Sequence, residues 1–239
     1  MLAHRGLAID APENTLLAFL HAASIGVTHL ETDVHASSDG VAMISHDPDL
    51  RRLTGREVLV GDLTAAELRA IDLGHGQTFC SLAEALDAFP DSKFNVDVKD
   101  KRAVTGTITA IAEARAIPRV LIGSFSTARR RATVAGLPGV ATSISMVPAL
   151  FAVIVAKIGL VGLLRWILRR VDAVQLPSRK FGFAITTART IRHFQAAGVE
   201  VHAWTINDPR EMRELIDAGI DGLVSDRSDL ALELLRPPT

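Results

Sequence analysis

The chain has 239 residues, 48% of them hydrophobic, with 26 basic against 27 acidic side chains and a formal net charge of −1. That length suits one large core as well as two small ones, and the near-neutral balance excludes the global basic footprint of a nucleic-acid-binding domain. The single cysteine, Cys80, excludes an intramolecular disulfide and fits a reducing compartment.

The opening Met1-Leu2-Ala3-His4-Arg5-Gly6 lacks the basic start and apolar core of a secretory signal, so a cytoplasmic location is expected. From there, short apolar or β-branched runs alternate with helical patterns. Strands are predicted at residues 2–5, 29–34, 41–46, 94–98, 120–124, 140–144, 173–176, 200–206 and 222–225. Helical patterns fill most of the gaps, the first over 14–24 with Asn14 as its N-cap. Alternating β and α units imply a parallel sheet. One gap breaks the pattern, because only six residues, His35 to Gly40, separate Val34 from Val41. Parallel neighbours need a crossover of roughly a dozen residues or more, so 41–46 must return as a hairpin, with Asp39-Gly40 as its turn. Eight parallel strands remain. The expected fold class is therefore α/β, one (β/α)₈ TIM barrel over 1–239, a size close to the roughly 250 residues usual for that fold. A small excursion after the second strand, at about 47–77, is expected above the barrel. Within it, Asp62-Leu63-Thr64 ahead of Ala65-Ala66-Glu67-Leu68 reads as a capped short helix.

Barrel enzymes carry their chemistry where strands end at the C-terminal face. The first predicted strand ends in His4-Arg5, the second holds Glu31 and Asp33, and the next parallel one holds Asp97 and Lys99. Period-two alternation puts Glu31 and Asp33 on one face, and Asp97 and Lys99 on one face. A lone acidic pair on a strand is usually a solvated face. Here the polar residues interrupt runs that otherwise read as buried, and they recur at the same end of three strands. Three carboxylates turned inward would repel unless a cation neutralises them, and an all-oxygen set favours Mg²⁺ or Ca²⁺.

The ordered series His4-Arg5-Gly6, Pro12-Glu13-Asn14-Thr15, Glu31-Thr32-Asp33-Val34, Asp39-Gly40 and His46-Asp47 resembles the signature of glycerophosphodiester phosphodiesterases. The likeness continues through Asn95-Val96-Asp97-Val98-Lys99, Ala203-Trp204-Thr205-Ile206-Asn207 and Gly219-Ile220-Asp221-Gly222-Leu223-Val224-Ser225-Asp226. The resemblance implies Glu31, Asp33 and Asp97 as ligands of one divalent cation, Mg²⁺ or Ca²⁺. It implies His4 and His46 as catalytic histidines, with Arg5 and Lys99 beside the phosphate. Asp97 stands where most members have glutamate, and a related group of sphingomyelinase D-type phospholipases has aspartate there. Trp204 is a candidate wall of the substrate pocket. His35, Asn207 and Asp226 read as loop, turn or cap residues.

The resemblance thus implies metal-dependent hydrolysis of glycerophosphodiesters to glycerol 3-phosphate and an alcohol. The rivals are phospholipase D-like cleavage of lysophospholipids and a non-catalytic barrel that binds ligand and retains the metal site. The segment 144–164 carries one charge, Lys157, and then runs into Arg165, Arg169 and Arg170. An outer barrel helix should show a polar face at 3.6-residue spacing, and 148–156 has none. A homodimer interface is the first expectation for this segment and a peripheral membrane contact the second.

Overall fold

In the computed structural model, which describes residues 1–180 and 183–235, eight parallel strands alternate with helices. The strands are β1 (Leu2–His4), β2 (His29–Ala36), β3 (Lys93–Val98), β4 (Val120–Gly123), β5 (Ala141–Thr142), β6 (Ala173–Pro177), β7 (Glu200–Trp204) and β8 (Gly222–Ser225). Each pairs with its neighbour in chain order except β5 with β6, and β8 pairs with β1. The seam between the short β5 and β6 is bridged by Asp172 N–H donating to Thr142 O at 2.8 Å and Ile144 N–H to Ala173 O at 3.0 Å. The ring is a (β/α)₈ barrel, as the alternation predicts. Residues 42–44 run antiparallel to β2, pairing Val34 with Ile44, which is the expected hairpin return.

The helices are α1 (Leu16–Ser24), α2 (Leu82–Ala88), α3 (Ala103–Glu113), α4 (Thr127–Ala135), α5 (Met146–Ile158), α6 (Val161–Leu168), α7 (Ala188–Ala196), α8 (Pro209–Asp217) and α9 (Ser228–Leu235). Strand alternation decides which side chains meet them. Leu30 and Val34 of β2 and Phe94, Val96 and Val98 of β3 join Phe19 of α1, Leu82 and Leu86 of α2 and Ile111 of α3 in one buried cluster. Burial of each such side chain contributes roughly 1.5–3 kcal/mol. The intervening residues Glu31, Asp33, Asn95 and Asp97 therefore turn to the barrel interior. The excursion holds its own small core around Leu50, Val60, Leu68 and Phe79. Its helix Ala65–Arg69 is capped as predicted, with Thr64 accepting from Glu67 N–H while Glu67 reaches back.

Two local expectations are corrected. Asn14 is not the N-cap of α1; Thr15 is, accepting from Ala18 N–H. Asn14 instead sits at φ +57°, which frees its side chain to turn inward. The apolar segment is two helices, not one, because Gly159 at φ +80° closes α5 before α6 begins.

Candidate active site

A cavity of about 500 Å³ opens at the C-terminal end of the barrel, and all eight candidate side chains line it: His4, Arg5, Glu31, Asp33, His46, Asp97, Lys99 and Trp204. Register explains the convergence. His4 of β1 pairs with Glu31 of β2, Glu31 with Asn95, and Asp33 with Asp97. The hairpin return delivers His46, fixed by Ser45 N–H donating to Asp33 O at 3.0 Å.

The loop after β1 is shaped by an unusual backbone. Arg5 lies at φ +56°, a region non-glycine residues seldom occupy. Gly6 follows at φ +82°, where an added Cβ would lie 2.7 Å from the Ala18 carbonyl carbon. This tight approach to α1 aims the Arg5 N–H at Glu31 Oε2, 3.1 Å away. The Arg5 guanidinium donates to Glu13 at 2.9 Å and lies 3.5 Å from Asp33. Glu13 also receives Arg52, which in turn pairs with Asp47, the partner of His46. A chain of alternating charges thus links Arg5 to His46. Asn14 adds Nδ2 toward Asp33 at 3.4 Å and accepts from the Thr32 hydroxyl.

Each histidine leans on a carboxylate. His4 Nδ1 donates to Asp226 Oδ1 at 2.6 Å, and His46 Nδ1 to Asp47 Oδ1 at 2.8 Å. Ionised carboxylates only accept, so each ring carries its proton on Nδ1 and leaves Nε2 available. Burial alone would push the His4 pKa down, but the Asp226 hydrogen bond and the Glu31 charge outweigh it and hold it above the ordinary value. Asp226 is itself held in place by Asn207, whose Nδ2 donates to its Oδ2 at 2.7 Å while Oδ1 accepts the Asp226 N–H. Asp226 and Asn207 thus buttress the His4 ring, a contact that their reading as turn or cap residues does not reveal.

Asn95 was also missed, although it shares a face with Asp97 and Lys99 by simple alternation. It lines the cavity, and its Oδ1 is buried without a hydrogen-bond partner. His35 points elsewhere, its Nε2 3.2 Å from the His46 carbonyl. Trp204 meets Phe125 edge to face at 6.0 Å, and Lys99 stands 5.4 Å from the Phe125 ring centre.

The carboxylates carry more negative charge than the protein neutralises comfortably. Burial, followed by the charge of Asp33, pushes the Glu31 pKa up to about 8. The Lys99 ammonium bridges Asp33 at 2.9 Å and Asp97 at 2.7 Å. Burial opposes its charge, yet those two carboxylates hold its pKa above the usual lysine range. Among the described residues, no three His, Cys, Asp or Glu side chains already surround one point as ligands. The expected convergence is therefore met by the cavity and not by the oxygen positions, because Lys99 stands between two of the carboxylates. The donor chemistry still fits a hard divalent cation, since Asp97 Oδ1 and Asn95 Oδ1 are buried oxygens lacking partners.

A family model for the glycerophosphoryl diester phosphodiesterase family matches residues 4–230. The chain is 39% identical over 236 residues to a Mycobacterium tuberculosis protein named probable glycerophosphodiester phosphodiesterase 2, covering 98% of this chain and 89% of that one. It is 28% identical over 269 residues to a lysophospholipase D of Homo sapiens, covering 94% and 82%. Among solved structures, an Oleispira antarctica phosphodiesterase in complex with the product sn-glycerol-3-phosphate shares the fold, with a TM-score of 0.80 at 24% identity and coverage of 98% and 95%. From the family match along nearly the whole sequence and the 39% identity to that relative, this chain belongs to the glycerophosphoryl diester phosphodiesterase family and is a phosphoric diester hydrolase.

Proposed function

We propose that the cavity cleaves glycerophosphodiesters to glycerol 3-phosphate and an alcohol, with His4 and His46 as the proton-transferring pair. The observation that carries this reading is the gathering of both histidines, the carboxylates, Arg5 and Lys99 in one cavity. A divalent cation held by Glu31, Asp33 and Asp97, Mg²⁺ or Ca²⁺, would supply Lewis-acid polarisation of the phosphate. Arg5 and Lys99 offset charge that builds on the non-bridging oxygens. One histidine takes the proton from the attacking hydroxyl as its oxygen bonds to phosphorus. The other donates a proton to the departing alcohol oxygen as its bond to phosphorus breaks. The attacking group is the substrate's own glycerol hydroxyl, which gives a cyclic phosphate that water then opens. Asp226 and Asp47 keep the two rings in the tautomer that this exchange needs.

A second reading, release of the head group from lysophospholipids, is favoured by the cavity's far wall. Ile144, Met146, Val147, Leu150, Val153 and Leu176 form an apolar surface there, beyond what a glycerol backbone needs. The bond cleaved is the same, and the difference is an acyl chain on the glycerol. The test is a product assay on glycerophosphocholine and lysophosphatidylcholine with Mg²⁺ or Ca²⁺ supplied. Release of glycerol 3-phosphate from the first with the higher kcat/KM is expected. Preference for the second establishes the lysolipid reading, and turnover of neither refutes both.

A further inference from the structure

Nine of the fifteen large apolar side chains left exposed among the described residues lie between Met146 and Trp166. Helix α5 is inverted relative to an ordinary surface helix. It buries Ala149, Ala152, Val153 and Ala156 against the barrel and displays Met146, Leu150, Phe151, Ile154 and Ile158 outward, the last four between 53% and 61% exposed. At 1.5 Å per residue this stripe runs for about 18 Å along the helix. Leu160, Leu163 and Trp166 extend it onto α6. At its other end it reaches the catalytic cavity, because Met146, Val147 and Leu150 also line that cavity.

The charges carried by the two helices all have one sign. From Ile144 to Val171 the charged residues are Lys157, Arg165, Arg169 and Arg170, with no aspartate or glutamate, in a chain whose net charge is −1. All four basic side chains are exposed. Arg169 stacks over Trp166 at 4.6 Å, a pairing of cation and indole suited to the boundary between head groups and acyl chains. No helix among the described residues is long and apolar enough to cross a membrane.

We propose that the outer face of α5 and α6 docks on an anionic membrane surface, with the mouth of the catalytic cavity at the lipid plane. The apolar stripe enters the head-group region and the basic residues meet lipid phosphates. Charge separates this from self-association. A two-fold interface built on the same face would bury these basic side chains against a second copy whose two helices offer no aspartate or glutamate to answer them. Under the lysophospholipid reading, docking also gives a single-chain lipid a continuous apolar path over Met146, Val147 and Leu150 to the histidines.

The test is flotation with vesicles of phosphatidylcholine containing phosphatidylglycerol, against vesicles of phosphatidylcholine alone. The unmodified protein should float with the anionic vesicles and be released by salt. Phe151→Glu with Ile158→Glu, which lie outside the cavity, should weaken binding by about tenfold or more. Arg169→Gln with Arg170→Gln should weaken it as well. Neither pair should alter hydrolysis of soluble glycerophosphocholine. Active protein that ignores anionic vesicles overturns the proposal, as does a Phe151→Glu, Ile158→Glu variant that floats equally well. A dimer dissociated by the same substitutions, with no vesicle binding, assigns the face to a second copy instead. Vesicle binding by a protein inactive on glycerophosphocholine supports the docking face while refuting the catalytic reading.

Discussion

Replacing Lys99 by methionine should move stability, ion affinity and activity in different directions. The ammonium lies 2.9 Å from Asp33 and 2.7 Å from Asp97, and Asp33 is almost fully buried. Methionine keeps most of the side-chain volume but removes the charge, leaving two carboxylates facing each other. Removing one partner of a buried pair costs roughly 3–5 kcal/mol. The Lys99 side chain is 19% exposed, and that of Asp97 14%, so water reaches part of the pair. The cost then falls to about 2–3 kcal/mol. For a domain of this size, about 2–4 °C per kcal/mol gives a Tm lowered by roughly 5–10 °C in chelator. A divalent cation should restore most of that, since ligand at about 100 times its Kd stabilises by about 2.7 kcal/mol. The variant should also bind the ion more tightly than the unmodified protein, because the competing ammonium is gone. Phosphodiester hydrolysis should nevertheless fall. Thermal unfolding in EDTA and in Mg²⁺ or Ca²⁺, with ion titration calorimetry, measures the first two effects. A variant as stable as the unmodified protein in chelator, or one with weakened ion binding, would refute the account of Lys99 as the internal counter-charge.

His4→Ala and His46→Ala should each lose about 10²–10⁴-fold in kcat, and near-full activity with unchanged ion binding would remove the residue from the mechanism. Asp226→Ala should lower kcat by roughly tenfold or more with KM little changed, because it acts by orienting His4; a KM effect alone would make it a substrate contact. Gly6→Ala should destabilise by more than about 2 kcal/mol, combining a left-handed φ with a clash against the α1 backbone, and an unchanged urea midpoint would contradict that packing. Cys80 is buried, and burial pushes its thiol pKa up to about 12. It should therefore stay unreactive toward a disulfide reagent at pH 8 until denaturant is added; rapid native labelling would show that the α2 end of the barrel opens readily.

Local pattern was enough to place the barrel strands, the hairpin return and most of the charged residues that line the cavity. Apolar alternation marks where strands lie, six residues cannot make a parallel crossover, and charges inside otherwise buried runs betray an inward polar face. Glu31, Asp33, Asp97 and Lys99 are legible on those grounds, and His4 and His46 from their motif. Apart from Asn95, which alternation alone puts on the inward face, the missed features depend on contacts between separate segments. Asp226 reaches His4 across 222 residues of sequence, and only the pairing of β8 with β1 makes them neighbours. Asn14 looks like a helix cap because local capping signals cannot reveal that Asp33 waits on the next strand. The apolar segment 144–164 could be seen to lack a polar face. Which of its side chains turn outward was set by how small residues of α5 pack against α7 and the barrel. Periodicity and capping are properties of neighbouring residues, whereas ring closure and helix orientation depend on which distant surfaces meet. Only the folded chain brings those surfaces together.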